Sequence, residues 1–89
     1  MANEAQQGLK DRDLQKYYEA MLELFSTPGW NYLQEDLTRL LDEGNTLNGI
    51  ESMEDLHVRR GTVHILKYML AQPVVVRAAY DTLLAEENE

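Results

Sequence analysis

SMEDLHVRRGTVHILKYMLAQPVVVRAAYDTLLAE, residues 52–86, decides how this chain folds. Ser52 stands three residues ahead of Asp55, the spacing of a capping-box relative, with acids in the first turn of a helix. Leu56, Val58, Thr62, Val63, Ile65, Leu66, Met69 and Leu70 then share one broad face, which predicts a helix to about Ala71 or Gln72. Pro73 has no N–H to donate and its ring crowds the preceding turn, so the helix is expected to kink or break there. Val74-Val75-Val76 has the composition of a strand, but a lone strand in a helical chain would find no partner. A fourth helix starting at Pro73 and running to about Glu86 is preferred, with Val76, Ala79, Tyr80, Leu83 and Leu84 on one side. Gly61 costs about 1 kcal/mol in a helix interior, and close approach of another backbone is the expected reason for it.

Upstream, the cleanest amphipathic pattern runs from about Pro28 to Glu43. Trp30, Leu33, Leu37, Leu40 and Leu41 make a stripe about 100° wide, and Tyr32, Glu35, Asp36, Arg39, Asp42 and Glu43 lie outside it. Pro28 suits a first helical turn, Thr27 can cap it, and Gly44-Asn45 ends it. Residues 46–51 read as a loop in which Leu47 and Ile50 tuck inward. A first helix is expected from Asp11 or Asp13, after a flexible tail over residues 1–10. Its apolar residues, among them Leu14, Tyr17, Tyr18, Met21, Leu22 and Phe25, spread over roughly 160°, wide enough to meet two neighbours or to self-associate. The expectation is an all-α, small three- to four-helix bundle, with one helical domain over residues 11–86 and frayed residues 87–89.

Composition narrows the function. The chain has 89 residues, a formal net charge of -8 and no cysteine. Disulfides, thiolate catalysis and cysteine-bound zinc are excluded. The acidity argues against DNA, RNA or an anionic membrane as a general partner. No apolar run approaches the roughly 20 residues that span a bilayer, and the polar N-terminus has no secretory h-region, so a cytoplasmic or virion setting is expected. Ser26 and Ser52 both sit at helix caps, no Gly-rich phosphate loop is present, and no nucleophile has a base beside it, so neither an enzyme nor a bound cofactor is predicted. His57 and His64 are two turns apart, about 10 Å, which is the wrong spacing for a metal pair on one helix.

The charge is unevenly placed. No acid occurs from Leu56 to Tyr80, where Arg59, Arg60, Lys67 and Arg77 lie. On the third helix His57, Arg60, His64 and Lys67 fall within an arc of roughly 80°. Arg59 projects among apolar positions and is expected to snorkel to water. The commoner outcome for such a stripe is pairing with Glu and Asp of the first two helices. The functional outcome is docking to an anionic surface, and an intersubunit salt-bridge surface lies between the two. Tyr32, opposite the stripe of its own helix, and then Tyr17 or Tyr18, are candidate aromatic contacts. On the second helix Glu35, Asp36, Asp42 and Glu43 form an acidic face, with Arg39 pairing to Glu35 and Glu43. That face is the alternative site: it would imitate a phosphate backbone and inhibit a host nucleic-acid enzyme. Direct nucleic-acid binding through Arg60 and Lys67 ranks third.

The runs FSTPGWNYLQEDL (residues 25–37) and SMEDLHVRRGTVHILKYML (residues 52–70) resemble small uncharacterised proteins of tailed bacteriophages, chiefly short-tailed ones. The shared features are Gly29-Trp30 and the stretch from Asp55-Leu56 to Gly61 before the apolar helix. The resemblance implies a phage accessory or virion-assembly subunit that works by contact with a phage or host protein, and it carries over no catalytic residue.

Overall fold

The computed structural model describes residues 2–87, with side-chain surroundings from Arg12 onward. Three helices follow one another: α1 Ala2–Phe25, α2 Pro28–Gly44 and α3 Met53–Glu87. No strand occurs among the described residues, so the fold class is all-α. α1 does not wait for Asp11 or Asp13 but reaches back to Ala2. Ala, Glu, Gln and Lys, all good helix formers, dominate the segment expected as a tail, and no proline interrupts it. Of the end expected to fray, Glu87 is still helical and closes α3, while Asn88 and Glu89, like Met1, lie outside the described residues.

Two hydroxyls close α1. Ser26 Oγ donates to the Glu23 carbonyl and Thr27 Oγ1 donates to the Leu24 carbonyl, both at 2.7 Å. The backbone N–H groups of the same residues reach the same carbonyls at 3.1 Å. α2 then opens on Pro28, whose missing N–H belongs to the turn where no helical acceptor exists.

The chain forms two compact units. In one, residues 28–72, α2 and the first part of α3 bury Trp30, Leu37 and Leu66. Each such side chain contributes about 1.5–3 kcal/mol by leaving water. Leu33 and Leu40, on the edge of the α2 stripe, stay exposed. In the other unit α1 packs on α3 from Pro73 onward, around Val76 and Leu83. Tyr80 Oη donates to Glu19 Oε1 at 3.1 Å, and the same oxygen accepts from Gln15 Nε2 at 3.1 Å. Leu14, Tyr17 and Leu24 of α1 remain exposed.

Two expectations for α3 are corrected. There is no break and no separate fourth helix, because α3 is continuous through Pro73. Proline costs about 3 kcal/mol against alanine in a helix interior, a penalty that burial of Val76 and Leu83 just beyond it can offset. Nor does another backbone approach Gly61: a methyl group built there meets nothing within 4 Å. Its helical conformation is open to any L-residue, so Gly61→Ala should raise the unfolding free energy by about 0.5–1 kcal/mol in urea denaturation. Destabilisation would show that this space is occupied in solution.

The hydrogen bond to Glu19 is the first cause that raises the Tyr80 phenol above its ordinary value of 10.0. A raised folded value means the neutral phenol is favoured by folding. The contribution is therefore complete below pH 10 and is lost as pH climbs through the folded value. Alkaline absorbance titration should show a phenol ionising above pH 10 that vanishes in Tyr80→Phe and moves down in Glu19→Gln.

Candidate functional site

The first turn of α3 is closed from both directions. Ser52 Oγ accepts the Asp55 N–H at 3.0 Å, as its position in the sequence implies, and Asp55 Oδ2 accepts the Glu51 N–H at 3.1 Å. Before it, the loop turns at Leu47–Ile50, where the Ile50 N–H reaches the Leu47 carbonyl at 3.2 Å. Gly49 occupies the third position of that turn with φ +80°, which other residues adopt only with strain. The Asn48 N–H adds a bond of 3.3 Å to Thr46 Oγ1.

Arg59 ties these pieces together. Its Nη1 donates to the Gly44 carbonyl at 3.3 Å and to the Thr46 carbonyl at 3.1 Å, and its Nη2 donates to the Asn48 carbonyl at 3.0 Å. The sequence expectation that Arg59 snorkels to water is therefore corrected: its fork is spent on backbone. α2 ends at Gly44, as the sequence implies, and does so without a left-handed backbone there, because Gly44 has no positive φ. Its carbonyl, left without a helical donor, takes the guanidinium instead, and a cation at a helix C-terminus is favoured by the helix dipole.

The same contacts overturn the expected place of Leu47. With the carbonyls of Thr46 and Asn48 both turned onto Arg59, Leu47 between them is 77% exposed, while Ile50 is half-buried. Loop and helix enclose an open cleft of about 530 Å³. Leu47, Ile50, Leu56 and Val63 give it apolar lining, and Arg60, His64 and Lys67 line it with basic side chains; no carboxylate borders it.

Three of the four stripe residues thus meet at one cleft, and His57 is exposed on α3 outside its lining. Within the 28–72 unit the expected pairing of this stripe with acids of α2 does not form. The one side-chain ion pair there joins Arg39 Nη2 to Asp36 Oδ1 at 3.4 Å, in place of the expected Arg39 pairs with Glu35 and Glu43. Glu35, Asp42 and Glu43 lie on a shallow face built by α2 alone. Tyr32 is exposed on α2. Tyr17 and Tyr18 of α1 stack edge to face, ring centroids 5.6 Å apart, with Tyr17 exposed and Tyr18 half-buried. No group of three or more His, Cys, Asp or Glu that could hold a metal is found among the described residues, and none of their helices is long and apolar enough to cross a membrane.

Sequence reasoning missed Arg59 and Leu47. Arg59 carried a signal, a cation on the apolar side of α3, but its acceptors lie 11 to 15 residues away. Leu47 stood in the loop without a helical period to place it. The chain matches no protein-family model, no curated protein and no solved structure.

Replacing Arg59 by Met keeps the stem and strips the three carbonyls of their donor. Hydrogen bonds from a charged group contribute about 1.5–3 kcal/mol, and part of that returns as water reaches this half-exposed site. Arg59→Met should lower the unfolding free energy by about 1–2 kcal/mol in denaturant and speed amide exchange in residues 45–50, whereas unchanged exchange there would remove the fork as the loop's anchor.

Proposed function

We propose that the chain is a non-enzymatic protein-interaction module that docks an acidic surface of another protein through α3. The observation that carries this reading is the convergence of Arg60, His64 and Lys67 on one open cleft that no carboxylate lines. Cations without a partner in their own unit keep their full field for an incoming one. His57 extends the basic stripe along α3, and Tyr32 and Tyr17 add exposed aromatic contacts elsewhere on the protein. The resemblance of residues 25–37 and 52–70 to small proteins of tailed bacteriophages supports a phage accessory or virion-assembly subunit, acting in the host cell or in the particle, and that setting rests on sequence alone.

Imitation of a nucleic-acid backbone by α2 is the weaker reading. Glu35, Asp42 and Glu43 are exposed, but Arg39 stands among them and engages Asp36. Direct nucleic-acid binding is weaker again, because a chain of net charge -8 repels polyanions at long range.

Affinity capture from the native host or from infected cells, read by mass spectrometry, tests the proposal. The wild-type chain should retain a defined protein, and Arg60→Glu with Lys67→Glu should lose it by at least about tenfold, since opposite charges become like charges at the contact. Equal capture by the double variant would reject α3 as the docking face. Loss of capture on neutralising Glu35, Asp36, Asp42 and Glu43 instead would establish the acidic face.

A further inference from the structure

We infer that the cleft between the 44–50 loop and α3 is a receptor for a short acidic peptide segment with an apolar anchor between its carboxylates. The inference rests on the interaction reading above and names the site and the chemistry of its ligand.

Two features of the cleft point to one occupant. The first is Leu47, a leucine held outward. The carbonyls on either side of it are bound to Arg59 at 3.1 and 3.0 Å, and the turn that follows is closed by the Ile50 N–H. Its 77% exposure is thus a property of the fixed backbone beneath it, and covering it with an apolar side chain requires no rearrangement. The second is charge. Arg60 and Lys67 stand seven residues apart on one helix, about 10 Å along its axis. In an extended peptide, carboxylates four residues apart share one face and span about 13 Å, within reach of the two long cationic stems. A segment with an acid at each end and leucines between them can meet both cations and cover Leu47 at once. The cleft, about 530 Å³, has room for a few side chains.

A nucleic acid fits less well. Arg59 has three hydrogen bonds committed to carbonyls, Arg60 and Lys67 are the remaining permanent cations of the cleft, and Leu47 offers nothing to a phosphate. A second copy of the chain could present its own acids, and the test below separates it.

The test is a titration of the full-length, isotopically labelled chain followed by amide NMR. The probe is the hexapeptide Glu-Glu-Leu-Leu-Glu-Glu, with Glu-Glu-Gly-Gly-Glu-Glu, Lys-Lys-Leu-Leu-Lys-Lys and an eight-residue oligothymidylate as comparisons. Saturable shifts should fall on residues 46–50 and 60–67. Affinity should drop by about tenfold or more when the peptide leucines become glycine, and again in Leu47→Asp or Arg60→Glu, as loss of one buried leucine or one charge pair implies. Leu47 is exposed, so its variant should keep the wild-type spectrum outside the loop. No saturable shift, shifts elsewhere, indifference to Leu47→Asp, or equal binding of the oligonucleotide would each overturn the inference. So would shifts at the same residues on dilution without peptide, which would identify a second copy as the occupant. If host-protein capture still needs Arg60 and Lys67 while the hexapeptide fails, the interaction reading survives and this inference does not.

Discussion

The guanidinium of Arg59 lies against three backbone carbonyls, and the 28–72 unit is organised around that contact. A helix that ends at Gly44 without a left-handed cap leaves carbonyls in need of donors. A loop that follows at once has carbonyls of its own. One planar fork supplies both, which a lysine could not do with a single point charge. Because it does so from α3, the end of α2 and the loop as far as Asn48 are tied to that helix by a single side chain. The outward position of Leu47 follows from it.

The charge pattern of the chain acquires its meaning from the same region. Arg59 and Arg60 are adjacent in sequence and opposite in use. One is half-buried and committed to backbone, and the other is exposed beside the cleft with His64 and Lys67. The acidic residues of α2 do not come to meet these cations, and the one ion pair among the described side chains is a local one on α2 itself. A protein that folds its cations against its own acids would bury that field. Within the 28–72 unit that field is left unpaired.

Much of this was legible in the sequence where a local rule decides the outcome. The all-α class, the α2 stripe with Trp30 and Leu37 inside, Pro28 at a helix start and Ser52 as an N-cap all depend on neighbours within a few residues. The misreadings share a different cause. Intrinsic preference favours a helix end at Pro73, and α3 instead runs on without a break, with Val76 and Leu83 buried beyond it. Gly61 was given a packing reason and has open space. Leu47 was placed inside on hydrophobicity, and its backbone is turned the other way by a residue twelve positions on. Of the candidate site, Arg60, His64 and Lys67 could be read from helical spacing, but the loop that forms the other wall could not.

Pro73 within α3 also shapes how the molecule comes apart. The Met69 carbonyl has no N–H to accept at that point, so the hydrogen-bond ladder of α3 lacks one rung. The packing partner of the helix changes at the same residue, from α2 before it to α1 after it. A fluctuation that opens one part of α3 therefore meets a gap in the ladder and a change of neighbours together. The turn and the fork that shape the cleft make their hydrogen bonds wholly before Pro73, so an opening confined to the α1 side breaks none of them.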